Sequence, residues 1–234
     1  MSVENYIGNE LELFDKAKNW KNYYGNSVKP FLTGDVMEVG AGIGATTRSL
    51  CNGTQNKWVC LEPDTVLANQ ITMKMQRKEL PACCELRIGT LENQSPTELF
   101  DTLIYIDVIE HIENDAAELQ RAYKHLKKGG HLIILVPAHQ WLYSPFDEAI
   151  GHFRRYNKGM LKKAIPQGFM QHTLKYMDSV GLMASIANKL FLKQSYPTQQ
   201  QVLFWDSTLV PISRFTDVVI FHAIGKSLLG IWKK

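Results

Sequence analysis

The sequence predicts a doubly wound α/β fold, in which a mostly parallel sheet carries helices on both faces. Three observations lead there. Short runs of β-branched and aromatic residues alternate with helical segments from Asp35 to Pro137, and the first run ends in a glycine cluster, Gly40, Gly42 and Gly44. A length of 234 residues, 45% of them hydrophobic and 21% charged, suits one large globular domain.

Each element has its own local reason. Leu13, Ala17, Trp20 and Tyr24 form one apolar stripe, which predicts a cap helix from about Asn9 to Tyr24. Pro30 and Gly34 then punctuate the chain before a strand at Asp35–Val39. Further strands are expected at Lys57–Leu61 and Glu85–Ile88, with a helix at Thr65–Lys78 between them whose N-cap is Asp64. Ser95, Pro96 and Glu98 have capping-box spacing and predict a short helix. A strand at Thr102–Ile106, a helix at Asp115–Leu126 stopped by Gly129 and Gly130, and a strand at His131–Val136 complete the alternation. Two last strands, Thr173–Met177 and Ser227–Trp232, flank a long apolar helical stretch. Its faces are built from Leu182, Ile186, Leu190 and Phe191, then from Phe204, Trp205, Leu209, Val210, Phe215, Val218, Val219 and Phe221.

Composition excludes several classes. A formal net charge of +3 is too small to make attraction to nucleic acid the leading idea. No run reaches the ~18 apolar residues of a membrane-spanning helix. The N-terminal MSVENYIGNE lacks a basic start and an apolar run, and the four cysteines show neither a CxxC pair nor metal-type spacing. A reduced, cytoplasmic protein is the expectation.

Function should sit beyond the carboxyl ends of the strands, where ligands of such sheets bind. The segment Glu38-Val39-Gly40-Ala41-Gly42-Ile43-Gly44-Ala45 places a carboxylate at a strand tip and glycines in the turn that follows, so a ligand can approach bare backbone. Glu62, at the tip of the next strand, can take both hydroxyls of a ribose. An adenosine in either a dinucleotide or a sulfonium cofactor fits this pair equally well. Negative charge from Glu38 and Asp107 favours the cationic ligand.

The stretches GDVMEVGAGIGATTRSL, VCLEPD, IGTLEN and DTLIYIDVIEHI, in this order, resemble the successive motifs of class I S-adenosylmethionine (SAM) dependent methyltransferases across roughly residues 34 to 137. The resemblance implies a Rossmann-like, seven-stranded sheet, mostly parallel with an antiparallel C-terminal strand. It implies one domain over 1–234: cap helices in 1–33, a cofactor-binding core in 34–177, a helical insertion in 178–224 and a final strand in 225–234. It also implies SAM as cofactor and S-adenosylhomocysteine (SAH) as product. Glu38, Gly40, Ala41, Gly42 and Gly44 would line the methionine part, and Glu62 with Pro63 the ribose. Thr90 and Leu91 would edge the adenine, and Asp107 with Val108 the sulfonium side. Many members carry an acidic residue where Thr90 stands, so Glu92 is an alternative partner for the adenine.

Methyl transfer chiefly requires alignment, and a hydroxyl acceptor also needs a base. His111 is one candidate; it could equally shape the loop or cap the next helix. The segment Asp147–Tyr156, DEAIGHFRRY, supplies others, with Arg154 or Arg155 to hold an anion and His152 or Tyr156 to orient or deprotonate the acceptor. A salt-bridged surface loop is the alternative there.

The fourth strand is followed by Asp-Val-Ile-Glu, without the motifs that methylate bases, so a small acceptor is expected, on oxygen or nitrogen, and no nucleic acid. A sugar, a lipid-linked molecule or another hydrophobic metabolite would suit. The apolar insertion could cover such an acceptor or lie on a membrane surface with Lys189 and Lys193 near headgroups; a helical cap or a dimer interface explains it as well. No Asp and Asn constellation marks a magnesium site, and no essential metal is expected. The competing functions are an NAD-dependent oxidoreductase, for which Tyr156 and Lys158 lack the Tyr-x-x-x-Lys spacing, and a SAM-binding protein without catalysis.

Overall fold

The computed structural model describes residues 10–192 and 196–234, Phe191 and Leu192 by their backbone alone. Asn9, the Phe191 side chain and Lys193, invoked above, lie outside these. The strands are β1 (Asp35–Val39), β2 (Lys57–Glu62), β3 (Cys84–Ile88), β4 (Phe100–Ile106), β5 (Leu126–Pro137), β6 (Met170–Met177) and β7 (Ser227–Lys233). They form one sheet of order β3-β2-β1-β4-β5-β7-β6. Only β7 runs antiparallel to its neighbours, inserted between β5 and β6. All seven expected strands are present, and the sheet has the expected sense.

The helices are α1 (Glu10–Asp15), α2 (Lys18–Val28), α3 (Ala45–Leu50), α4 (Thr65–Gln76), α5 (Asp115–His125), α6 (Pro145–Ala149), α7 (Lys158–Ala164), α8 (Ser179–Ala187), α9 (Gln199–Phe204) and α10 (Val210–Val219). Asp64 caps α4 as expected, its carboxylate accepting from the Val66 and Leu67 N–H groups at 2.7 and 3.1 Å. The expected single cap helix is broken into α1 and α2.

Two expectations fail for reasons the structure shows. Ser95–Glu98 makes a turn instead of a helix, because Glu98 is drawn across the sheet edge to Arg87 and Lys57, at 2.5 and 2.6 Å. Gly129 and Gly130 do not separate helix from strand; they lie inside β5, whose register slips between Phe100 and Thr102. A Cβ on Gly130 would stand 2.9 Å from the Asp101 carbonyl oxygen, so glycine is what lets the strand resume its ladder.

The sheet separates two apolar layers. One is built around Trp58, Tyr24 and Ile104, with α2 packed on it; the other centres on Tyr105, Phe100 and Leu132 under α5. Four free cysteines gather in the first layer's neighbourhood: Cys51 Sγ lies 3.5 Å from Cys83 Sγ and 3.6 Å from Cys84 Sγ, a convergence that sequence spacing hides.

Two buried carboxylates, Asp206 and Asp217, fasten the insertion to the cap, each set at the N-terminus of another helix, and a third, Asp178, caps α8 and binds the insertion to itself. Asp206 accepts from the Trp20 N–H at 2.8 Å, at the start of α2. Asp217 accepts from the Asp178 and Ser179 N–H groups and from the Tyr23 hydroxyl at 2.7 Å. Asp178 accepts from Ser213, Gly181 and the Trp205 indole. These acids satisfy orphan backbone donors and gain from the positive end of each helix. The outer face stays apolar and open, with Phe215 73% and Phe221 90% exposed. Lys189 is exposed, and its ammonium donates to the Trp141 carbonyl and ties the insertion to the segment after β5.

Removing Asp217 leaves a buried hydroxyl and two buried N–H groups without an acceptor. Asp217→Ala should therefore cost about 3 kcal/mol or more of unfolding free energy, measured by urea denaturation. A loss below about 1 kcal/mol would mean that these contacts do not fasten the cap.

Candidate active site

The carboxyl ends of β1, β2 and β4 meet at one edge of the sheet. At the tip of β1 the chain turns through Gly40, Gly42 and Gly44, at φ of 69, 55 and 75°. The turn is held by its neighbour strand: the Gly40 and Ala41 N–H groups both donate to the Leu61 carbonyl, at 2.8 and 3.1 Å. A Cβ on Gly40 would lie 2.7 Å from a Val108 methyl, so glycine is required both by conformation and by the loop beyond β4. The Leu11 side chain of α1 stands over Gly42 from the cap side.

Glu62, 4% exposed, bridges this turn and its own loop: it accepts from the Gly42 N–H at 2.7 Å and from the Asp64 N–H at 2.9 Å. Burial nevertheless keeps its carboxyl above the usual range. Two accepted bonds leave carboxylate lone pairs available to further donors. Pro63 beside it is exposed. Glu38 differs from the role the resemblance implies, because it faces protein: Oε2 accepts from Thr47 at 2.6 Å and from the Trp58 indole at 3.1 Å. Burial pushes its carboxyl up to about 7.

Thr90 is exposed and forms a capping box with Asn93. Leu91 has its side chain fully buried in the second apolar layer, so only its backbone can edge a ligand. Glu92 points to Arg121 at 3.4 Å. Asp107 is exposed at the tip of β4 with φ of 53°, a left-handed conformation uncommon for aspartate. His152, Lys226, Lys21 and Arg155 all lie within electrostatic reach of it. Lys21 of the cap helix and Lys226 after the insertion carried no signal in the sequence.

Behind Asp107 the fold brings the expected histidines together. The rings of His111 and His152 meet edge to face, with centroids 4.5 Å apart. Burial, and then His152, lower the His111 pKa to about 4, so this imidazole is neutral near neutral pH. His152 Nδ1 bonds the Asp147 carboxylate at 2.9 Å, and its Nε2 faces Glu110 at 3.9 Å. Glu110 is fully buried with neither oxygen hydrogen-bonded. Burial raises its carboxyl well above the usual range.

Two other expected residues are placed elsewhere. Arg155 grips Asp147 with both arms of its fork, at 2.7 and 2.9 Å, so it orients the loop and holds no free anion site. Tyr156 is 1% exposed and donates to Asp115 at 2.7 Å; burial and that carboxylate raise its pKa, which removes it from acid–base work near neutral pH. Arg154 pairs with the same Asp115 at 3.0 Å. Within DEAIGHFRRY, therefore, Arg154, Arg155 and Tyr156 are engaged with protein carboxylates, and Asp147 orients His152.

Sheet order and the glycine-lined edge define the class, a Rossmann-like α/β protein. Residues 37–132 match the family model described as a methyltransferase domain. It is similar to a SAM-dependent methyltransferase from Clostridium acetobutylicum, at 12% identity and TM-score 0.61, over 96% of this chain and 97% of that one. The N-methyltransferase NodS of Bradyrhizobium japonicum, solved with SAH, is similar at 11% identity and TM-score 0.59, over 94% and 87%. Coclaurine N-methyltransferase, bound to N-methylheliamine and SAH, gives 10% identity and TM-score 0.63, over 93% and 72%. At these identities the likeness shows the fold. No curated protein matches the chain.

Glu38 supplies a pH test of the turn. Its folded pKa of about 7 stands above the reference 4.5, so the fold favours the neutral acid. Its contribution to stability is full below pH 4.5 and fades as pH rises through 7. The unfolding free energy of the native protein minus that of Glu38→Gln should fall across this window, and parallel profiles would contradict the assignment.

Proposed function

We propose that the protein transfers a methyl group from SAM to a small acceptor at oxygen or nitrogen. The single observation that carries this is the meeting, at one sheet edge, of a positive-φ glycine turn, the Glu62 carboxylate and the exposed Asp107. When bound, SAM supplies an activated methyl on a cationic sulfur. Glu62 receives the ribose hydroxyls beside Pro63, the Gly40–Gly44 turn accommodates the methionine part, and Thr90 with the Leu91 backbone borders the adenine. Asp107 and Val108 stand at the sulfonium side.

An acceptor held in line with that methyl group would need only alignment for transfer, and an acceptor that carries a proton would also need a base. His111, held neutral by burial, or His152, oriented by Asp147, takes that proton. The small-molecule reading draws support from the coclaurine enzyme, whose structure holds N-methylheliamine. Residues 1–234 act as one domain in this reading, with the cap and the insertion covering the acceptor side.

A hydrophobic or lipid-linked acceptor is favoured by the apolar outer face of α10, where Ile212, Phe215, Val218 and Val219 are exposed. Among the described residues no helix is long and apolar enough to cross a membrane, so contact with lipid would be peripheral. A reducing compartment suits the four free thiols.

Calorimetry should show SAH binding and no NAD binding; the reverse would end this reading. Glu62→Ala should weaken SAH by roughly ten- to a hundredfold, the worth of a buried charged hydrogen bond. Unchanged affinity would remove Glu62 from the ribose.

A further inference from the structure

We propose that Glu110, His111 and His152 form a binding site for a divalent transition-metal ion beside the methyl-transfer pocket. Ligand-capable atoms of the three residues lie within 4.8 Å of one another. Direct ligation at about 2.0–2.2 Å places neighbouring ligand atoms about 3–3.5 Å apart, so rotations of the side chains suffice to close the set. Two imidazoles and one carboxylate suit first-row transition ions and leave positions open for an acceptor.

Each ligand is prepared by a second partner. His152 is fixed through Nδ1 by Asp147, itself clamped by Arg155 and accepting from Ser144 at 2.8 Å, which leaves Nε2 facing Glu110. His111 bonds the backbone of Ile150 and Gly151 and packs on the His152 ring. Carboxylates and carbonyls placed behind metal-ligating histidines fix ring orientation in this way. Glu110 is the observation that points outward: a fully buried carboxyl whose two oxygens have no hydrogen-bond partner leaves a costly polar group unsatisfied. The Phe153 N–H donates to the Glu110 backbone carbonyl at 2.8 Å, which locks the loop carrying His152 against this residue.

Given the methyl-transfer reading, on which this step rests, the ion selects acceptors that carry a hydroxyl. With the ion bound, His111 and His152 serve as ligands and not as the base: the ion lowers the hydroxyl's proton affinity, the proton passes to solvent, and the oxygen lone pair displaces SAH from the methyl carbon. Asp107 precedes Glu110 on the same short loop, so the ion and the methyl donor share one wall.

The test uses the full chain, stripped with a chelator and dialysed against Zn(II), with bound metal measured by mass spectrometry and SAH binding measured in parallel. One equivalent per chain is expected, weakened at least tenfold in Glu110→Gln and in His152→Ala, and retained in Cys51→Ser. Absence of stoichiometric uptake, or loss that follows Cys51→Ser and spares Glu110→Gln, overturns the site. SAH binding that persists without zinc uptake rejects the metal alone, whereas zinc uptake without SAH binding rejects the methyl-transfer reading.

Discussion

The Gly42 N–H donated to Glu62 is the contact on which the rest depends. It joins the turn after β1 to the tip of β2, and the Leu61 carbonyl reinforces it by accepting from Gly40 and Ala41. Since the adjoining strands are parallel and in register, fixing these tips fixes the rim against which any ligand lies. A side chain at Gly40 would collide with Val108, so the same constraint spaces the β1 and β4 loops.

The acidic rim is balanced by cations from distant parts of the chain. Lys21 on the cap and Lys226 after the insertion both come within reach of Asp107. Their placement depends on the buried aspartates that join α2 to the insertion. Burial, opposed by the charge of Asp15 and Asp206, lowers the Lys21 pKa to about 8, so this cation is the softer of the cap's contributions. Fold stability and site electrostatics thus share residues, and the apolar insertion is a tethered part of the protein's architecture.

Much of this was legible in residue order. Buried parallel strands announce themselves as apolar runs, and the glycine turn and Glu62 fall where such strands end, so the glycine-lined edge of the sheet is legible in residue order alone. Capping chemistry was readable at Asp64, whose carboxylate caps its own helix, and misleading at Ser95–Glu98, where Arg87 outcompetes the helix. Long-range pairing is what sequence conceals. Nothing local shows that Arg155 is spent on Asp147, that Tyr156 is buried on Asp115, or that Glu110 lacks a partner beside two histidines. The convergence of Cys51, Cys83 and Cys84 is hidden for the same reason.

The central claim is a place, and a crystal structure of the protein grown with SAH tests it most directly. The account predicts the adenosyl group beyond the tips of β1 and β2, its ribose hydroxyls on Glu62 and its homocysteine along Gly40 to Gly44. Well-ordered SAH at any other position, with that turn closed by protein side chains, would contradict it.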